Sequence, residues 1–291
     1  MKIRIGSRDS RLAVIQSEMV MDAIGAYDPT LEVELVTMKT TGDLILDRPL
    51  SQIGGKGLFV KELDRALLEG RVDFTVHSSK DLPMDIPPEL PLVAFSHRAD
   101  PRDALVLPQG VDTLDPAKPI GCSSLRRTLQ LRKLFPNHTV APVRGNVQTR
   151  LAKLDRGDFS ALVLASAGLE RLGLEGRISR RFSVEEMLPA AGQGILAVQS
   201  RQGVDTTCLS AFHDPVAAVC LTAERAFVAA LDGGCSSPVA AYATVDGDTV
   251  TLTGFYVSPR GESYIQSSCS ACSDAQTMGA ELAHRMRRDC L

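Results

Sequence analysis

The feature that most limits how this chain can fold is a repeated junction: an apolar strand-like run, a small polar residue, then a helix start. It occurs at Gly6-Ser7-Arg8-Asp9-Ser10, Gly121-Cys122-Ser123-Ser124, Arg144-Gly145-Asn146 and Ala165-Ser166-Ala167-Gly168. Such alternation predicts mainly parallel sheets with helices on both faces. Strands are predicted at Lys2–Gly6, Val33–Thr37, Phe74–His77, Leu92–Ser96, Ala104–Leu107, Ile120–Cys122, Thr139–Val143 and Ala161–Ala165. Ser10 caps a first helix whose apolar stripe reads Leu12, Ile15, Met19, Ala23. Lys56–Leu68 has helical spacing through Val60, Leu63 and Leu67 and stops at Gly70. Further helices are predicted at Ser124–Leu134, Asn146–Leu154 and Gly168–Leu172.

The last third reads differently. Pro215–Leu231 is a helix with Val219, Ala223, Ala226 and Ala230 along one stripe. Val239–Val245, Thr249–Val257 and Ser263–Ser268 are β-rich, separated by the turn sequences Asp246-Gly247-Asp248 and Pro259-Arg260-Gly261. A final helix, Asp274–Arg288, turns Met278, Leu282 and Met286 inward. The expected fold class is α/β: two α/β lobes plus a small α+β C-terminal domain with a three-stranded antiparallel sheet. Boundaries are expected near Asp100-Pro101-Arg102, Pro189–Gly194 and Asp214-Pro215.

A length of 291 residues suits two or three domains. No stretch approaches the ~18 consecutive apolar residues of a membrane span. The opening Met-Lys-Ile-Arg-Ile-Gly-Ser-Arg-Asp breaks into charge before an export leader's apolar core can form. Seven cysteines, an odd number, suit reduced thiols and a cytoplasmic protein. Aromatics are 4% and there is no Trp, which counts against a protein that stacks bases.

Charge is unevenly placed. Cys122–Arg181 holds 12 Lys plus Arg against 4 Asp plus Glu, or +8 within a chain of net charge −3. The chain has 24 Arg to 8 Lys, and the guanidinium fork grips carboxylates with two parallel bonds. A solvated basic face would account for the window alone. The four junctions add helix N-termini, whose free N–H groups favour anions at the carboxyl ends of strands. With Arg8, Arg126, Arg127, Arg144, Arg150 and Arg171 close to these junctions, the combination points to a polyanion cleft.

Other motifs carry chemistry. His77-Ser78-Ser79-Lys80-Asp81-Leu82-Pro83 sets a lysine and a carboxylate at a strand end, where Asp81 can steady a cation or move a proton and His77 is expected to be structural. Gly54-Gly55-Lys56-Gly57-Leu58-Phe59 lacks the Ser/Thr of a phosphate loop and reads as a mobile lid or a flexible connector. Gly233-Gly234-Cys235-Ser236-Ser237-Pro238 places a thiol on a loosened loop, fit for covalent attachment or nucleophilic use. Cys269-Ser270-Ala271-Cys272 has metal-like spacing but no second pair, and no metal site is expected.

These motifs, in this order, resemble the porphobilinogen deaminase (hydroxymethylbilane synthase) family nearly end to end. The resemblance rests on Ile5–Gln16, Thr40–Asp43, Gly54–Glu62, His77–Pro83, Asp100–Asp103, Gly121–Arg127, Arg144–Asn146, Ala167–Gly173, Gly192–Gly194, Thr222–Arg225 and Gly233–Cys235. It implies three domains. Residues 1–99 with a return segment 195–213 form the first and 100–194 the second, both like lobes of type II periplasmic binding proteins; 214–291 form the third, which carries the cofactor.

The implied reaction joins four porphobilinogen molecules, with loss of ammonia, onto a dipyrromethane primer, then releases hydroxymethylbilane by hydrolysis. The resemblance implies a thioether from the primer to Cys235 and Asp81 as the catalytic carboxylate. Lys80, Arg126, Arg127, Arg144, Arg150, Arg171 and Arg8 would pair with acetate and propionate groups, with Ser10, Ser123 and Ser124 adding hydrogen bonds. Lys56 and Phe59 would belong to the closing lid and Gln193 to the interdomain crossover. The partner is the small substrate, not nucleic acid or membrane, and the protein is expected to be a cytoplasmic monomer.

Departures from the family pattern are Gln52 where some relatives carry lysine, Cys122 where threonine is common, and Ser236 in place of a larger polar residue. Two rival readings exist. A two-lobed anion receptor without chemistry would be exported and gives Cys235 no role. A nucleic-acid binder would need more aromatics than Phe135 and Phe159 in the basic window.

Overall fold

A computed structural model describes residues 2–40, 60–233 and 237–290. Three sheets organise them. The first contains β1 (Lys2–Arg8), β2 (Glu32–Met38), β3 (Phe74–Ser78), β4 (Leu92–Phe95) and β10 (Leu196–Ser200), in the order β2-β1-β3-β10-β4. The second contains β5 (Asp103–Val106), β6 (Ile120–Gly121), β7 (Val140–Ala141), β8 (Ala161–Ala165) and β9 (Arg180–Arg181), in the order β7-β6-β8-β5-β9. The third is the antiparallel meander β11 (Ala240–Asp246), β12 (Thr249–Val257) and β13 (Ser263–Ala271). The α/β class, the two α/β lobes and the α+β unit are therefore as the sequence predicts.

The sheets are less parallel than the alternation suggests. In each lobe four strands run the same way, and a fifth is inserted antiparallel among them: β10 between β3 and β4, β5 between β8 and β9. The inserted strands are the ones next to the chain's two crossings between lobes. β5 begins just after the outgoing crossing, and β10 just after the returning one. A strand entering from the other lobe has no crossover helix to reverse it, so it pairs antiparallel.

Burial follows the two-residue period of strands. In the second lobe Ala104, Val106, Leu162 and Leu164 face one core with Leu151 and Leu154 of α4 (Val147–Asp155). Leu105, Ala161 and Val163 face the other with Leu131 of α3 (Leu125–Leu134). In the first lobe, α1 (Arg11–Tyr27) covers Ile3, Ile5, Phe74 and Val198. It does so with Gln16, Ser17, Val20 and Ile24, not the predicted stripe; Met19 is exposed. The helix is rotated so that Leu12 lies beside Gly168 of α5 (Ser166–Arg171) in the other lobe.

α2 (Lys61–Leu68) buries Leu63, Ala66 and Leu67. Its predicted start at Lys56 lies outside the described residues, and Val60 is its cap. α6 (Pro215–Ala230) buries Cys220, Leu221, Ala223, Glu224, Phe227 and Val228, while Ala226 and Ala230 of the predicted stripe are only half-buried. α7 (Ala275–Asp289) packs on it with Met278, Leu282 and Met286 inward. Among the described residues no helix is long and apolar enough to cross a membrane.

Candidate active site

A cleft of about 660 Å³ opens between the carboxyl ends of the two lobes' parallel strands, in the size range of small-molecule sites. The repeated junctions form its walls. Ser10 caps α1, accepting from the Ala13 N–H at 3.4 Å, and Ser124 caps α3 through the Arg127 N–H at 3.5 Å. Asn146 caps α4 through the Thr149 N–H at 2.9 Å. Ser123 works differently. Its hydroxyl donates to the Val143 carbonyl at 2.6 Å and accepts from the Val143 N–H at 3.0 Å, so its oxygen is left only to accept. At the fourth junction Ser166 is fully buried and Ala165 holds the cap position, while Ala165, Ala167 and Gly168 line the cleft.

Cations dominate the lining. The first lobe supplies Arg8, Arg11 and Lys80, and the second Arg126, Arg127, Arg144, Arg150 and Arg171. Only Asp9 and Asp81 oppose them among the described lining residues. Much of the rest of the basic window is paired locally, and Arg156 and Arg180 belong to the solvated face that charge alone suggested. Arg156 pairs with Asp158, Arg177 with Asp155, Arg180 with Glu186 and Arg181 with Glu170.

Asp81 ends a short 3-10 turn that follows β3 and lies exposed to the cleft. Its neighbour Lys80 is half-buried and reaches the Gln193 side-chain carbonyl at 3.4 Å. Burial pulls the Lys80 ammonium down to about 8, although the Asp81 and Asp103 carboxylates work to raise it. Burial also lowers Arg171 to about 10. Arg171 donates to the Gly194 carbonyl at 2.7 Å, and its Nε is buried with no partner among the described residues. His77 is buried, bonds Thr75 through Nε2 at 2.9 Å, and is pushed down to about 4 by desolvation, so it is neutral.

Arg126 and Arg127 do not face the cleft alone. Arg126 donates to Asp103 at 2.8 Å and to the Leu188 carbonyl at 2.7 Å. Arg127 donates to Asp103 through Nε at 3.0 Å and Nη2 at 2.6 Å. Burial works to raise Asp103, but the two guanidiniums outweigh it and hold the carboxyl well below the usual range. Gln193 completes the cluster, donating to Asp103 at 2.9 Å and to the Pro101 carbonyl at 2.7 Å. One carboxylate thus serves two guanidiniums, and the cluster keeps a positive charge.

Sequence alone gives no role to Asp103, nor to a second buried carboxylate. Glu224 on α6 accepts from Arg98 at 2.6 Å, from the Gly192 N–H at 2.6 Å and from the Ala243 N–H at 2.7 Å. It ties both interlobe crossings to the third sheet. Burial raises its pKa despite Arg98. Both acids lie in stretches that carry the family resemblance, which was the only available signal.

Cys235, with 234 and 236, lies outside the described residues, as do Lys56, Phe59 and Gln52. Val228, Ser237 and Val239, which flank the cysteine segment in the chain, line the cleft. Cys122 is buried and its thiol reaches the Ser124 carbonyl at 3.7 Å.

A family model described as porphobilinogen deaminase, dipyromethane cofactor binding domain, matches residues 3–208, and one described as porphobilinogen deaminase, C-terminal domain, matches residues 218–288. The chain belongs to the porphobilinogen deaminase family. The porphobilinogen deaminase of Acetivibrio thermocellus is 57% identical over 286 residues, covering 98% of each chain. That of Alkaliphilus oremlandii is 58% identical over 287 residues, covering 99% of this chain and 97% of its own. Among solved structures, the periplasmic aliphatic sulphonate binding protein SsuA from Escherichia coli is 12% identical. It covers 69% of this chain and 61% of its own at a TM-score of 0.38, too slight a likeness to bear on chemistry.

Members of the porphobilinogen deaminase family are transferases of tetrapyrrole biosynthesis, and this chain is a hydroxymethylbilane synthase with a dipyrromethane cofactor. The cleft fits that group. A dipyrromethane made from two substrate molecules carries four carboxylates. The cleft offers eight cationic side chains, one with a buried donor still to be satisfied.

Proposed function

We propose that Asp81 is the carboxylate on which each condensation turns. Porphobilinogen is a pyrrole with acetate and propionate arms and an aminomethyl group that leaves as ammonia. The dipyrromethane supplies the free α-carbon to which each new ring is joined. Asp81 is an acid exposed to a cationic cleft, so it accepts pyrrole N–H groups and steadies the positive charge left on the methylene carbon. That placement, one of two carboxylates in a lining of eight cations and the one that follows the buried strand β3, is the observation that carries the reading.

The arms are held by the cations. Arg126, Arg127, Arg144, Arg171 and Lys80 serve the cofactor, and Arg8 and Arg150 the incoming substrate. Ser10 and Ser124 use their caps to accept and retain their hydroxyl protons for a carboxylate, while Ser123 props Val143 and accepts from a pyrrole N–H. Gln193 fixes the crossover beside Asp103. Lys56 and Phe59 belong to the closing lid, and Cys235 carries the cofactor as a thioether. We assign residues 1–99 with 195–213, 100–194 and 214–291 to three domains. We infer a cytoplasmic monomer with no nucleic-acid or membrane partner. The free thiols of Cys122, Cys208, Cys220, Cys269, Cys272 and Cys290 suit that compartment.

Intact-mass spectrometry of protein from a haem-competent host tests the reading. The expected result is an added mass of two linked pyrroles that vanishes in Cys235→Ser. An unmodified parent chain contradicts it.

A further inference from the structure

A second, much smaller cavity lies beside Asp81. It has a volume of about 40 Å³ and is partly open. Arg8, Gln16, Ser78 and Asp81 line both this space and the large cleft, whereas Ala13, Val60, Val76 and His77 line the small one alone. The two spaces therefore meet at Asp81. An aromatic ring occupies a cavity of ~150 Å³, and one water needs ~10–15 Å³ with two to four polar partners. The small cavity excludes any ring of the substrate and suits water.

Its polar lining is incompletely satisfied. Gln16 is 4% exposed, and its side-chain amide bonds only Ser78, donating at 3.0 Å and accepting at 3.3 Å. A primary amide has two donors and two lone pairs. One N–H and one lone pair of Gln16 thus lack a protein partner among the described residues. Unmet buried polar groups of this kind are where ordered waters sit. His77 stays neutral and adds a buried polar ring to the wall.

The reaction needs water once and must exclude it otherwise. Loss of ammonia from each incoming porphobilinogen makes a cationic methylene carbon, and bulk water there would divert the ring to a hydroxymethyl product before it joins the chain. Only the last step consumes water. We propose that this cavity seats the water molecule that releases the product. In that step the water oxygen bonds the methylene carbon of the chain's first ring while the carbon–carbon bond holding the chain to the enzyme breaks. The electron pair of the broken bond takes up a proton at the carbon that loses the chain. The proton shed by the water passes to the Asp81 carboxylate, which hands a proton on to that carbon and so ends as it began. One water is consumed, and nothing is oxidised or reduced. Arg8 at the junction disfavours an ammonium ion in the same place.

The proposal rests on Asp81 as the site of chemistry, and its test separates the two. Ala13→Val fills the cavity from α1, and Val76→Ile fills it from β3 should the first variant melt early. Holoenzyme is mixed with porphobilinogen, quenched at intervals and weighed intact. Release should slow at least about tenfold relative to ring addition, with the fully extended four-ring adduct accumulating. A crystal structure of the parent protein should show an ordered water roughly 2.6–3.2 Å from Ser78 Oγ or the Gln16 amide. An unchanged adduct ladder in both variants, or a dry cavity, overturns the proposal while leaving Asp81 untouched. Slowed first addition with normal release also overturns it, because the cavity would then serve departing ammonia. If Asp81→Asn still adds rings normally, the underlying reading fails instead.

Discussion

Gln193 and Asp103 are 90 residues apart in sequence, yet Gln193 Nε2 donates to Asp103 Oδ1 at 2.9 Å. One residue belongs to the crossing that returns to the first lobe, the other to the strand that begins the second. The same carboxylate holds Arg126 and Arg127, so the returning crossing and the two guanidiniums share one buried group. Fork geometry and interlobe geometry are therefore set together.

Removing that carboxylate's charge leaves two buried guanidiniums short of a partner. Asp103→Asn should lose about 3–5 kcal/mol of stability, the usual penalty for breaking a buried ion pair from one side. Urea denaturation followed by circular dichroism measures it. A loss below ~1 kcal/mol would show that the cluster is solvated rather than buried.

Lys80 gives the site a pH signature. With its pKa lowered to about 8 in the free enzyme, it loses its charge as pH climbs past that value. A bound carboxylate favours the charged form, so binding above pH 8 takes up a proton. The apparent dissociation constant of the cofactor-free enzyme for its carboxylate-bearing primer should rise above pH 8, approaching roughly tenfold per pH unit, and Lys80→Arg should flatten the rise. The same upturn in Lys80→Arg would assign the titration to another group.

Gly192 sits at φ +74, and a Cβ there would lie 2.8 Å from both Leu221 Cδ1 and Ser79 Cβ. Its N–H also serves Glu224. Gly192→Ala should cost on the order of 1–3 kcal/mol through backbone strain. It should also lower turnover by shifting the Gln193 segment. A thermal melt and a rate assay together check this. Unchanged stability would mean the crossing relaxes without strain.

The sequence made the local parts of this architecture legible. Strand runs, the caps Ser10, Ser124 and Asn146, and the Lys80-Asp81 turn are written in adjacent residues, and short-range stereochemistry decides them. What escaped was long-range. Asp103 reads as one more charge after a proline until Arg126, Arg127 and Gln193 surround it. Glu224 reads as the polar face of α6, because its three partners come from Arg98, Gly192 and Ala243. The predicted stripe of α1 failed for the same reason. That helix meets a sheet below and the other lobe beside it, and Gln16 is buried as a cavity wall rather than as core. The antiparallel insertion of β5 and β10 depends on which lobe a strand enters, and hydropathy carries no such information.

The most direct measurement is the rate of ring addition by Asp81→Asn, read as intact-mass adducts after mixing with porphobilinogen, beside a melting curve that shows the fold is kept. The substitution preserves shape and removes the negative charge. The account predicts a drop of at least about a thousandfold, the scale of losing a charge-stabilising group at a developing cation. Addition within about threefold of the parent rate, a difference worth well under 1.4 kcal/mol, would contradict it.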